Sequence, residues 1–345
     1  MKALHSVSDL VAAGLMTPEA GEAVRTVADR YAVALTPYLR ETLAGRTDPQ
    51  DPLHAQYVPS PAEAYSTPEE MEDPIGDGAR SPVKGIVHRY PDRVLLKPLH
   101  ACAVYCRFCF RREMVGPGGE ALTADEMDAA LAYIRDHEEV WEVVVTGGDP
   151  LLLSPRRLRG IVQALSAMPH VGVVRLHSRI PAADPDRVTP DLVEALTASD
   201  LATWVAVHIN HADELTPPVR AALARLVEAG IPLVGQTVLL KGINDSHAAL
   251  EALFRGMVRN RVKPYYLHHP DLAAGTSHFR PTLAEGQALV RGLRGKLSGL
   301  CQPTYVLDIP GGHGKAPAAP AWIEAESEER YRVTDFTGRV HDYRG

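Results

Sequence analysis

Three cysteines, Cys102, Cys106 and Cys109, fall within eight residues of the run HACAVYCRFCFRREMVG, His100 to Gly116. Thiolates are the usual protein ligands of iron–sulfur clusters. Three of them can hold three irons of a four-iron cube and leave the fourth open. An open iron can bind and reduce a substrate instead of only relaying electrons. A disulfide explains the run poorly, because three is odd and the fourth cysteine, Cys301, is remote. Structural zinc wants four ligands, often from two Cys-x2-Cys hooks. No second hook exists, but His100 could complete such a set, so zinc stays open on these residues alone. Cys301 reads as an ordinary buried thiol.

A second stretch, Val306 to Lys315, reads VLDIPGGHGK. A lysine in a glycine-rich loop at a strand end is a candidate Schiff-base lysine, provided partial desolvation leaves some neutral amine. A phosphate loop would need G-x4-GK[ST] and a following helix, and Pro317 and Pro320 argue against that helix. Two acids lie near strand ends, Asp271 and Asp308. Singly, each reads as a cap or a solvated loop acid. Arg89 and Arg93 flank Tyr90 in HRYPDR, a set that suits a phosphate and a ring, or simply charges at a strand entry. Thr146-Gly147-Gly148-Asp149-Pro150 ends an apolar run. Its glycines could let backbone approach a ligand closely or make a tight turn.

The elements that must position these residues alternate. Apolar strands are expected at 94–96, 140–145, 171–177, 203–209, 232–240 (with Gln236), 262–267 and 304–309. Helices open at the capping boxes Thr123-x-x-Glu126 and Thr282-x-x-Glu285, at Ser154-Pro155, Thr189-Pro190 and Thr216-Pro217, and at Asn244-Asp245-Ser246. Strands alternating with helices of this length indicate a parallel sheet. A full eight-unit barrel usually needs about 250 residues of core, more than is present, so the expected fold is α/β, a partial (β/α)6 TIM-like barrel with an N-terminal helical extension. The expected division is 1–85 for a helical and irregular extension, 86–320 for the barrel and 321–345 for a short C-terminal segment. In the extension, Thr17-Pro18 should start a helix through EAVRTVADRYAVAL, and Thr36-Pro37 another.

The 345 residues, 45% hydrophobic and 23% charged, suit a globular protein. A net charge of −7 argues against nucleic acid as main partner. No apolar run reaches the ~20 residues of a membrane span, and the start has no signal-peptide core. Reduced thiols make the cytoplasm the expected location.

Cys-x3-Cys-x-aromatic-Cys, with Phe108 as the aromatic, resembles the cluster loop of radical S-adenosylmethionine enzymes. The extension CRFCFRR, Cys106 to Arg112, is similar to the lysine 2,3-aminomutase family, as are DPLHAQYVPS, DPIGDGARSPVKG, HRYPDR and PGG-x-GK. The resemblance covers about 50–320, the first 45 and last 20 residues adding little. It implies a [4Fe-4S] cluster on Cys102, Cys106 and Cys109, with S-adenosyl-L-methionine and pyridoxal 5′-phosphate as further cofactors. Arg89, Tyr90, Arg93 and Lys315 are then pyridoxal contacts, Lys315 carrying it as a Schiff base. Phe108, Thr146 (usually Ser in the family), Gly147, Gly148, Asp149 and Gln236 join the cofactor-binding set. Arg111 would pair with the substrate carboxylate, and Asp271 with Asp308 would hold the ε-ammonium of lysine, positions that are not acids in the glutamate-acting relative.

The activity so implied is an isomerase that converts L-lysine to β-lysine through a 5′-deoxyadenosyl radical and a pyridoxal aldimine. Alternatives are a 2,3-aminomutase acting on another amino acid such as arginine, or β-lysine supply for modification of elongation factor P. The expected partners are lysine and an electron donor such as flavodoxin or ferredoxin, with a homo-oligomer left open. Long family members carry a C-terminal zinc motif completed at the position of Ser246. With Ser246 and no cysteines near the C-terminus, no such zinc is expected. The chain is short like the elongation-factor branch but carries the PGG-x-GK loop and Asp308 of the other.

Overall fold

The computed structural model describes residues 2–116, 119 and 121–345. Five short helices come first: α1 (Val7–Ala12), α2 (Pro18–Ala23), α3 (Arg25–Arg30), α4 (Pro37–Thr42) and α5 (His54–Tyr57). The expected single helix after Thr17 is broken at Val24 and ends at Arg30. The reason is tertiary. Val33, Ala34 and Leu35 are all buried, which no single helical face allows for consecutive residues. Leu35 instead exchanges both backbone hydrogen bonds with Leu4, and the Ala32 carbonyl accepts from the Arg107 side chain.

Then follows the alternating core: β1 (Ile86–Tyr90), β2 (Arg93–Leu99), α6 (Ala124–Arg135), β3 (Glu142–Gly147), α7 (Pro155–Ser166), β4 (Val173–Ser178), α8 (Ile180–Ala183), α9 (Pro190–Leu196), β5 (Ala202–His208), α10 (Pro217–Glu228), β6 (Leu233–Val238), α11 (His247–Arg259), β7 (Val262–His268), α12 (Leu283–Leu293), β8 (Thr304–Asp308) and β9 (Lys315–Pro317). The start signals hold locally. Thr123 and Thr282 form full capping boxes, and Ser154, Thr189 and Ser246 each accept a first-turn amide. The nine strands pair in sequence order. Strands β2 to β8 run parallel, and β1 and β9 flank them antiparallel. Seven parallel strands thus have six crossovers, each carried by a helix of seven or more residues that packs on the outside.

Residues from all nine strands line one cavity: Arg89, Leu95, Val144, His177, Ala206, Gln236, His268, Asp308 and Lys315 among them. A flat sheet could not do this, so the sheet curls around the cavity as a partial TIM-like barrel. The chain ends in a separate three-stranded antiparallel sheet, β10 (Ile323–Ala325), β11 (Arg330–Thr334) and β12 (Val340–Arg344). Sequence reading gave those residues no elements. Among the described residues no helix is long and apolar enough to cross a membrane.

Candidate active site

The cysteine loop leaves the C-terminal end of β2, where parallel barrels place their chemistry. It is packed against the turn that ends β3. A Cβ on Gly148 would lie 2.1 Å from the Ala101 carbonyl oxygen, and Gly147 has φ +108° with a Cβ position 2.7 Å from the Leu99 oxygen. These glycines are therefore required by close approach of the chain that leads into the cysteines. Asp149 lines the cavity, but its carboxylate is spent within the protein. It accepts from Ser178 Oγ at 2.7 Å and from the backbone amides of Leu151, Arg179 and Ile180 at 2.7–3.1 Å, pinning the β4 end to the β3 end.

Two buried ionic knots hold the loop. Glu63, 2% exposed, accepts from Arg107 Nε and Nη2 and also pairs with Arg112. Arg112 donates onward to the carbonyls of Arg107 and Gly275. On the other flank Arg179 donates to Tyr57, Gln56 and Glu214, its guanidinium 5.5 Å from the Phe108 ring centre. Phe108 packs edge-on to His208 and Phe279.

All three thiols line the cavity, and burial pushes each of them up, Cys106 to about 12. Thiolates there need a compensating positive charge, which a bound metal supplies. Among the described residues no three Cys, His, Asp or Glu side chains are grouped to hold one metal ion. A cube has a different requirement, since each thiolate binds its own iron, so the donor set fits a cluster better than a single zinc.

Across the cavity, β8 and β9 form a hairpin in which Asp308 and Lys315 stand opposite each other. Gly311, Gly312 and Gly314 all have positive φ, and a Cβ on Gly314 would lie 2.8 Å from the Tyr90 hydroxyl. That hydroxyl accepts the Lys315 backbone N–H at 2.7 Å, so β1 fixes the hairpin. Lys315 Nζ donates to Asp308 Oδ1 at 2.7 Å, and His268 Nδ1 lies 3.6 Å from Oδ2. Burial works against the Asp308 carboxylate, but His268 and Lys315 outweigh it and hold it at about 2. Asp271 also faces the cavity and makes no side-chain hydrogen bond or ion pair among the described residues; burial, then Asp308, pushes it up to about 7. Arg93 stacks over Tyr90 at 4.1 Å.

Every residue given a cofactor, cluster or substrate role by the resemblance lines this one cavity of about 330 Å³: Cys102, Cys106, Cys109, Phe108, Arg89, Tyr90, Arg93, Arg111, Thr146 to Asp149, Gln236, Asp271, Asp308 and Lys315; His100 does not. Sequence reasoning missed Glu63 and Asp77 in the extension, Lys97 on β2, Glu214, and the cavity histidines His177, His208 and His268. The buried ring nitrogens Nε2 of His177 and His208 have no hydrogen-bond partner among the described residues. The segment DPIGDG that holds Asp77 was visible, but nothing local marked its acid.

Residues 96–253 match the profile of the radical SAM superfamily, and 290–345 match that of Lysine-2,3-aminomutase. The likeness therefore extends past 320 to the last residue, further than expected. An L-lysine 2,3-aminomutase of Acetoanaerobium sticklandii is 39% identical over 328 residues, 95% of this chain and 79% of that protein. One from Clostridium subterminale is 38% identical over 95% of this chain and 78% of its own. A Glutamate 2,3-aminomutase of Clostridioides difficile is 32% identical over 94% and 76%.

Proposed function

This chain belongs to the lysine 2,3-aminomutase family of radical S-adenosylmethionine enzymes, and from that premise we propose that it moves the α-amino group of L-lysine to C3, giving β-lysine. The observation that carries the reading is the shared cavity, lined by the three thiols and by Lys315 with two acids. When bound, the cluster with S-adenosylmethionine removes and returns a hydrogen atom, and pyridoxal phosphate delocalises the electrons of the migrating group.

Cys102, Cys106 and Cys109 hold the cluster. Lys315 carries the pyridoxal group, and Tyr90 and Arg93 bracket the ring and phosphate. Thr146, Gly147, Gly148 and Gln236 line the side next to the cysteines and contact S-adenosylmethionine. Arg111 takes the substrate carboxylate as a fork. Asp308 keeps its negative charge beside Lys315 and exchanges one ammonium, that of Lys315, for another, the ε-ammonium of the substrate. Asp271 releases its proton to solvent when that ammonium enters, and so faces it as a second carboxylate. A glutamate side chain would place a third carboxylate between these two acids, so the pair favours lysine.

Anaerobic reconstitution with iron, sulfide, pyridoxal phosphate and S-adenosylmethionine, followed by product analysis on a panel of amino acids, tests this. β-Lysine from lysine, with little product from glutamate or arginine, is expected. Product from glutamate alone would overturn the substrate assignment.

A further inference from the structure

Four charged side chains from four separate segments meet behind the cavity wall. Asp77 lies in the extension with its side chain 1% exposed. Its Oδ1 accepts from Arg89 of β1 at 3.1 Å. Its Oδ2 accepts from Arg111 Nε of the cysteine loop at 3.0 Å, with Nη2 paired at the same distance. Lys97 of β2 places Nζ 3.6 Å from the same oxygen. The three cations are about as buried as the acid, at 8%, 10% and 8% for Arg89, Arg111 and Lys97. Neighbouring Asp73 spends its carboxylate on the backbone amides of Asp77 and Gly78.

One carboxylate thus faces three buried cations. Buried charge without a counter-ion is costly, and the excess here is positive. Arg89 and Arg111 line the cavity, whereas Asp77 and Lys97 stand behind them. Arg89 Nε is buried with no partner, and Arg111 Nη1 makes no hydrogen bond among the described residues. The donors left free here include those of the two guanidinium groups that face the cavity.

We propose that Lys97 is a positioning residue: acting through Asp77, it keeps this wall positively charged and seats Arg111 for the carboxylate of the amino-acid substrate. The inference rests on the functional reading above. Asp77 alone would neutralise one guanidinium and leave a weak anion seat. With Lys97 bound to the same oxygen, part of that negative charge is taken up, and both guanidinium groups keep their attraction for an incoming anion. The arrangement favours binding at the expense of stability, since the three cations repel one another.

The test compares L-lysine with 1,5-diaminopentane, which keeps both amines and lacks the carboxylate, by titrating the visible absorbance of the pyridoxal-phosphate-loaded protein. Lys97→Met is expected to weaken L-lysine binding about ten-fold, as loss of one partly buried charge interaction predicts. Diamine binding should stay unchanged, and the melting temperature should not fall. Lys97→Arg should restore lysine binding. A merely structural ion pair would lower the melting temperature and weaken both ligands in parallel, and that result overturns the inference, as does unchanged lysine affinity in Lys97→Met. No response of the wild type to L-lysine would instead overturn the functional reading itself.

Discussion

The two sides of the cavity are built in opposite ways. On the cysteine side each fixed point has several buried partners: Glu63 holds two arginines, Arg179 holds three side chains, and Asp149 accepts four hydrogen bonds. On the lysine side a glycine-rich hairpin presents Lys315, whose side chain is 27% exposed and has one partner, Asp308. The contrast follows from what each side must do. A cluster needs three thiols held at fixed separations throughout the reaction, so over-determination is useful there. An amine that exchanges its covalent partner each turnover must swing, and a partly exposed side chain on a glycine-rich hairpin lets it.

Breaking each side separately should give the largest effects. Cys106→Ser is expected to abolish turnover and the brown chromophore after reconstitution, while leaving the visible band of bound pyridoxal phosphate. Lys315→Ala should do the reverse. Loss of both chromophores in either variant would show that the two sides fold as one unit and would erase the contrast.

Stability should separate the sides next. Glu63→Gln leaves two buried guanidinium groups without their counter-charge, expected to cost about 3–5 kcal/mol in denaturant unfolding. Asp308→Asn should cost less, about 2 kcal/mol for a buried carboxylate that its neighbours hold at about 2, yet lower kcat/KM for lysine by roughly 10²-fold, because one substrate ammonium then loses a buried partner.

The pH response sharpens the lysine side. Asp271 is raised to about 7, by burial first and Asp308 second. From about pH 4, the ordinary carboxyl range, up to 7 the unfolded chain has released this proton while the folded one still holds it, so stability falls as pH rises through that window. Lysine binding should run the other way, tightening as pH rises through about 7 and Asp271 ionises. Asp271→Asn should flatten both profiles. A wild-type affinity that is level from pH 6 to 8 would count against a role for Asp271 in holding the ammonium. The smallest effect belongs to Tyr90→Phe, which removes the acceptor of the Lys315 amide and should cost about 1 kcal/mol, with a broader visible band from a looser hairpin.

Much of this molecule was legible from short-range pattern. The strand and helix alternation, the capping boxes, the cysteine spacing and the glycine-rich loop before Lys315 are local geometry, whereas Arg111, Gln236, Asp271 and Asp308 took their roles only from resemblance to the family. The break in the N-terminal helix was not legible, since the residues that capture Ala32 and Leu35, Arg107 and Leu4, lie outside any local window. Nor was the role of Glu63, Asp77 or Lys97. A single acid or lysine in a polar stretch looks solvated until the fold buries it against cations from 12 to 49 positions away.

By itself the sequence determined which chemical groups the protein carries and the order of the strands that present them. Only the tertiary structure decided that the cysteines and Lys315 share a cavity, and that three cations share one carboxylate behind it. Charge pairing and burial depend on distance through space, and in a curled parallel sheet neighbours in space are separated by whole crossovers along the chain.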